Sequence, residues 1–362
     1  MQVRVKNEKM PIFISMKLHN ILYKSLGIIS VFGMLILFAN NAPTLKKIKS
    51  VTKSTAVWGF YGHKKINRLA VFTLPKGMFS FYKKNIEYIT EHAVDPDKRR
   101  YAVEGEAPRH YIDIDHYHND SLTPFQYVPR VWKKAVEKFT EDTLQAYGIV
   151  PWHVNSMRYR LTKAFKEKDF NRILKLSAEM GHYVGDASVP LHTTENYNGQ
   201  LTGQRGIHGF WESRIPELFS EEYDFFVGQV VYIENPLYYI WNTVESSHNA
   251  VDSVLSFERK LDTNYPSDKK YAFDNRGNRT IKTYSKEYSK EYQDMLDGMI
   301  ERRMRSSIIA VGSFWYTCWM NAGQPDLTQI KKKALTEEEK KEQEKLDKAY
   351  KKGKIKGREH QH

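Results

Sequence analysis

His182 and Asp186 stand four residues apart, as do His208 and Glu212, and His192 lies between the two pairs. Side chains at i and i+4 leave a helix on the same face, so each pair can aim an imidazole and a carboxylate at one point. Those are the donors that suit zinc and similar divalent metals where thiolate is lacking. The chain has one cysteine, Cys318, which rules out an intrachain disulfide and any cysteine-based zinc finger. A lone pair of this kind is commonplace on helix surfaces. Two pairs and an intervening histidine inside 31 residues point instead to metal binding, against the competing expectation of histidines satisfied within a core. Upstream, three further stretches carry the same residue types: Trp58-Gly59-Phe60-Tyr61-Gly62-His63, Asp95-Pro96-Asp97-Lys98-Arg99-Arg100, and Arg109-His110-Tyr111-Ile112-Asp113-Ile114-Asp115-His116.

Helices must position these groups, and the apolar periodicity supplies them. Ile66, Leu69, Ala70 and Phe72 predict a helix ended by Pro75, and Phe79, Tyr82, Ile86 and Ile89 continue at helical spacing. Further helices are predicted over 131–146, 154–165, 171–183, 237–255 and 288–319. Pro190 should end the His182 helix, leaving His192 just beyond it. Residues 95–119, 199–206 and 262–283 read as polar loops or turns, which makes His116 and His118 loop residues. Trp315, Tyr316 and Trp319 read as core. The only strand-like run is 227–233. The expected fold is therefore all-α: a single helical domain over 58–330 enclosing the histidine cluster, within the size range of one core.

The order W-x4-H, then D…HYID, then H-x3-D-x5-H, then H-x3-E is similar to that of the zinc-dependent phospholipase C family and of the fungal single-strand-specific nucleases of the same superfamily. It runs from Trp58 to about Gly323. The resemblance implies an all-α fold around three zinc ions. One would be held by Asp97, His110, His182 and Asp186, and a second by His192, His208 and Glu212. A third would use His63 and the backbone amine and carbonyl of Trp58, with Asp186 as a bridge. Asp97 fits the family's Asp-x-x-Arg pattern, with Arg100 following, and Asp95 is its competitor. In the family the tryptophan is the mature N-terminus, so the third zinc requires cleavage between Val57 and Trp58.

Zinc ions in such a cluster lower the pKa of bound water and offset charge on a phosphoryl group. The implied reaction is in-line hydrolysis of a phosphodiester, with Asp97 orienting the water or accepting its proton. Asp113 and Asp115 are candidates to fix the imidazoles from behind. Three features favour phospholipid as substrate: Glu212 where the nucleases resemble Asp, the short His192–His208 interval, and the impossibility of disulfides. One favours single-stranded nucleic acid. Tyr111 and Asp113 resemble the nuclease segment whose ring stacks on a base and whose carboxylate reads its edge, although Tyr111 packed in the core is an equal alternative. A protein of another class, membrane-tethered and holding zinc without turnover, remains a further alternative.

The formal charge of +13 is confined to the ends. Residues 1–57 carry nine Lys/Arg against one Glu, and residues 331–362 carry twelve against seven Asp/Glu, so the body between them is neutral. That removes a whole-body electrostatic case for nucleic acid. Residues 26–39 form an apolar run behind Lys17 and Lys24. Together with the uncharged stretch 25–45 they read as a secretory signal or membrane anchor followed by a basic linker, which implies an exported protein. The tail from Lys331 reads as a charged helix or a disordered extension.

Overall fold

The structure, a computed structural model, describes residues 58–118, 123–276 and 279–353, which belong to one compact unit. The expected signal or anchor in residues 1–57 lies outside the described residues. Among the described residues no helix is long and apolar enough to cross a membrane.

The chain is largely helical. The described residues open with α1 (Trp58–Ala70), which tightens into a 3-10 turn before Pro75, followed by α2 (Lys76–Lys84), α3 (Ile86–Glu91) and the short α4 (Asp95–Arg99). After a stretch of 3-10 turns come α5 (Pro124–Tyr127), α6 (Trp132–Phe139), α7 (Glu141–Tyr147), α8 (Val150–Lys166) and α9 (Phe170–Asp186). The single helix expected over 131–146 is thus two. Thr140 sits at φ 68°, and its hydroxyl accepts from Thr143 N to start the second. The long patterns further on divide similarly. Pro236–His248 (α12) is separated from Val251–Asn264 (α13), and Lys286–Met295 (α14) from Met299–Asn321 (α15), the last break formed by Asp297 and Gly298 in the left-handed region. Apolar spacing does not register such breaks, because both halves bury the same stripe.

Two expectations about strands are corrected. Residues 227–233 join no sheet. Their amides are taken up by α15 and the 3-10 turn after α1: Val230 N donates to Thr73 O, Val231 N to Ser313 Oγ, and Ile233 N to Thr317 Oγ1. Conversely, the polar stretch 262–283 contains an antiparallel hairpin, β1 (Tyr271–Arg276) with β2 (Arg279–Tyr284), in the register Tyr271↔Tyr284 and Phe273↔Lys282. Among the described residues the fold is therefore helical with one small hairpin. Tyr284 anchors that hairpin by stacking on Phe210, with ring centroids 3.8 Å apart. The tail carries a further helix, α16 (Glu337–Lys352), which packs on α4.

The core is layered around α9. Helices α8, α15 and α1 surround it, and Trp315 donates its indole N–H to Ser177 O, 2.9 Å away, while stacking on Tyr82. Gly181 and Gly185 let α1 lie unusually close. A Cβ at Gly181 would sit 2.0 Å from Asn67 Oδ1, and one at Gly185 would sit 2.9 Å from His63 Nδ1. Asn67 secures this approach by donating to Ala178 O at 2.9 Å. Glycine inside a helix costs about 1 kcal/mol relative to alanine, so the pair is retained for the space it leaves.

Candidate metal centre

The residues singled out by type converge from six parts of the chain. α1 brings His63, α4 brings Asp97, a 3-10 turn brings His110, and α9 presents His182 and Asp186 from its last turn. α9 ends at Asp186, ahead of Pro190, and His192 follows in the turn Pro190–Thr193. His208 and Glu212 lie on α10 (Ile207–Gly209) and the π-helical turn Phe210–Arg214 that leads into α11 (Ile215–Phe219). The expected plain α-helical pair is thus carried through a π turn, a distortion frequent at functional sites.

Asp186 is the hub. Its Oδ1 lies 3.2 Å from His63 Nε2, and its Oδ2 lies 3.0 Å from His110 Nδ1 and 3.2 Å from His182 Nε2. Asp97 Oδ1 stands 3.7 Å from both His110 Nδ1 and His182 Nε2. Beside them, Glu212 receives His208 Nε2 at 3.1 Å and His192 Nε2 at 3.4 Å. Three groups have ligand atoms close enough to hold a metal ion: His63 with Asp97 and His182, His110 with His182 and Asp186, and His192 with His208 and Glu212. All are buried except Asp97, whose side chain retains 14% exposure. Asp95 turns elsewhere, to His92 at 2.5 Å and Lys98 at 3.0 Å, so of the two candidates only Asp97 joins the cluster.

The far side of each imidazole decides what the near side can do. His182 Nδ1 donates to Ala93 O at 2.9 Å, His192 Nδ1 to His110 O at 2.6 Å, and His208 Nδ1 to Tyr197 O at 3.0 Å. A carbonyl only accepts, so each Nδ1 carries the proton and each Nε2 is left to face the cluster. His110 is reversed. Its Nδ1 faces inward, 3.0 Å from His182 Nε2, and its Nε2 faces Glu106 Oε1 at 3.7 Å. Histidines satisfied as ordinary core residues do not point ring nitrogens at one another across a buried carboxylate. Moreover, His63 Nδ1, His110 Nε2 and Asp186 Oδ2 are buried without a hydrogen bond of good geometry. The donor set, its fixed tautomers and the buried Asp186 Oδ2 at its centre fit divalent metal ions.

The electrostatics agree. Burial alone would raise the Asp186 and Asp97 carboxyls, but the surrounding imidazoles, His182 foremost, outweigh it and hold both low. Burial likewise raises Glu212, and His208 and His192 pull it well below the carboxylate range. In the metal-free chain His182 is pushed up to about 9, because Asp186 and Asp97 overcome its burial. His192 rises for the same kind of reason, from Asp186 and Glu212, whereas burial and His182 lower His63. The cluster thus attracts positive charge, as protons when metal is absent.

Glu106 was not singled out by sequence spacing. It is fully buried, accepts from Arg109 Nη1 at 2.7 Å and from the Tyr183 hydroxyl, and lies 3.4 Å from Arg99 Nε. Its only sequence signal is its place four residues before His110. Of the two expected imidazole partners, Asp115 is engaged elsewhere. Asp115 accepts from Thr194 Oγ1 at 2.6 Å and Glu195 N at 3.0 Å, bracing the loop after His192. Asp113 is buried, its amide donating to Tyr147 O. Tyr111 is 5% exposed, its hydroxyl 3.4 Å from Ala146 O. His116 stacks on Tyr147, away from the cluster. Trp58 is the first residue of α1, five residues before His63. Arg100 is buried, which lowers its guanidinium, and the charges of Asp97 and Asp186 act against that lowering. No family profile and no curated protein matches the chain.

Proposed function

We propose that this chain is an exported, zinc-dependent phosphodiester hydrolase, similar in its ligand order to the phospholipase C family. The observation that carries the reading is Asp186: one buried carboxylate touching three imidazoles, with the histidine–glutamate group of Glu212 alongside. Zinc is the metal that suits this nitrogen-rich, thiolate-free set, and when bound it would supply a hydroxide at neutral pH and offset charge on the phosphoryl oxygens. His110, His182, Asp97 and Asp186 would hold one ion and His192, His208 and Glu212 another. A third would sit at His63, with the Trp58 backbone contributing if the chain is cut before it. Asp97 stays ionised because the imidazoles hold its carboxyl low, and it is the most accessible of the acidic ligands. It is therefore placed to orient a water or accept its proton. The carbonyls of Ala93, His110 and Tyr197 keep the rings from turning, so the site is organised before substrate arrives.

The ligand order ranks phospholipid first. A second reading is cleavage of single-stranded nucleic acid, supported by the resemblance of His110-Tyr111-Ile112-Asp113 to the nucleases' segment. The experiment offers phosphatidylcholine vesicles and single-stranded DNA side by side to zinc-loaded and chelated protein. Zinc-dependent release of phosphocholine or of nucleotides supports hydrolysis and names the branch. Bound zinc with neither product, and none from a small synthetic diester, would overturn the reading in favour of a non-catalytic zinc protein.

A further inference from the structure

Helices α12 and α15 line a cleft of about 520 Å3 with polar side chains. Asn242, Thr243 and Ser246 come from α12 at helical spacing, and Arg302, Arg303 and Ser306 come from α15. Neighbouring helices ordinarily turn apolar stripes toward each other, so this lining needs a reason. Among the described residues no carboxylate lines the cleft, and neither arginine has an acidic side chain within ion-pair distance. None of the candidate metal ligands lines it either.

Arg303 carries the argument. It is half-buried, and neutral acceptors hold it in place: Nη1 donates to Ser188 O at 3.2 Å and Ser247 Oγ at 3.0 Å, and Nη2 donates to Ser246 O at 2.7 Å. These contacts orient the guanidinium without cancelling its charge. Its Nε is buried without a hydrogen bond of good geometry. Burial, then the charge of Arg302, push the group down to about 10, which leaves it protonated at neutral pH. A cation withdrawn from water beside a second cation, with no counter-charge, is unfavourable until an anion joins it. Asn242 adds a directed donor. Its Oδ1 accepts from Arg130 Nη1 at 3.3 Å, so its amide hydrogens are left to donate. Arg302 and Asn242 are exposed, which leaves the cleft open to a ligand.

We propose that this cleft binds a phosphate monoester, with Arg302 and Arg303 neutralising the phosphate, Asn242, Ser246 and Ser306 donating to its oxygens, and the organic group against Tyr239 and Met299. Two adjacent guanidinium groups with further amide and hydroxyl donors match a dianion with three terminal oxygens better than a single carboxylate. Tyr239 and Met299 line the same cleft and supply apolar surface for the remainder of the ligand. The inference does not depend on the phosphodiesterase reading, because the site shares no residue with the metal centre.

The test is calorimetric titration of phenyl phosphate into the full chain, stripped of metal and dialysed free of chelator. It is run above and below the second phosphate pKa of about 6. One saturable site per chain is expected, tighter at the higher pH, where the ligand is a dianion. Arg302→Gln should weaken binding by about tenfold or more, the worth of one charge-assisted hydrogen bond. Asn242→Asp keeps the shape and the oxygen that Arg130 uses, but puts a carboxylate in the cleft. It should abolish binding and raise the thermal midpoint, because the arginines gain a counter-charge. Both positions are exposed, so neither variant disturbs the core. Absence of saturable binding, or equal affinity in wild type and both variants, would overturn the proposal. Affinity that rises on acidification would also overturn it, by placing the anion on the protonated histidines of the metal-free centre. Benzoate binding as tightly as phenyl phosphate would overturn the assignment to phosphate.

Discussion

Replacing Gly185 by alanine sets two effects of opposite sign against each other. On helix propensity alone, alanine in the last turn of α9 should stabilise by up to about 1 kcal/mol. The structure gives the opposite sign, because the new Cβ would lie 2.9 Å from His63 Nδ1 and 3.0 Å from its Cε1. Ordinary contact begins near 3.4 Å, so the ring must retreat by about half an ångström. His63 has little room to do so, since it packs against the His182 ring with centroids 3.9 Å apart. Forced overpacking of this kind costs about 1–3 kcal/mol, which offsets the propensity gain and leaves a net loss. A metal site also tolerates only about 0.5 Å of ligand displacement, so the ion served by His63 should be lost while the Glu212 group keeps its own. Metal per chain by atomic emission, with thermal unfolding in and out of zinc, reads both effects. The expected result is lower metal content than wild type and a midpoint reduced by about 2–4 °C per kcal/mol lost. A variant more stable than wild type with full metal content would refute the account of how α1 and α9 build the site.

Other perturbations separate the parts of the centre. His182→Ala and Asp186→Ala should each lose bound zinc and most hydrolysis, and unchanged metal content in both would defeat the ligand assignment. Zinc added to metal-free protein at pH 7 should release protons, because zinc must displace those that Asp186 and Asp97 hold on His182, at about 9, and those on His192. Apparent affinity should therefore rise about tenfold or more per pH unit below 9, and a flat profile between pH 6 and 8 would contradict it. Glu106→Gln keeps the shape but removes the charge facing His110 Nε2, and should weaken zinc by about 10–100-fold as read by competition with a chelating dye.

The chemistry was more legible in the sequence than the scaffold. His182 with Asp186 and His208 with Glu212 announce themselves because helical periodicity converts a spacing of four into a shared face. His63, Asp97 and His110 are recognisable only as members of an ordered set, since nothing local says that three separate segments meet. The partners of the imidazoles were hidden for a physical reason. Ala93, His110 and Tyr197 act through backbone carbonyls, which every residue has. Gly181 and Gly185 were visible, but a glycine in a helix says nothing about what lies against it. The breaks at Thr140 and Asp297 leave no apolar signature, and the hairpin was masked because β1 and β2 are mostly polar and charged and lie on a largely exposed surface. The tail read as a charged helix or a disordered extension. It is anchored by Tyr350, one aromatic ring in a charged run, against Tyr101 and Phe60.

The central claim is that the buried histidine–carboxylate cluster is a metal centre that hydrolyses phosphodiesters. The most direct measurement titrates zinc into metal-free protein and follows bound metal and hydrolysis of bis(4-nitrophenyl) phosphate together. The account predicts no turnover without metal, turnover rising in step with the ions bound, and neither in Asp186→Ala. Turnover in the metal-free chain, or full loading with no turnover of this or any other diester, would contradict it.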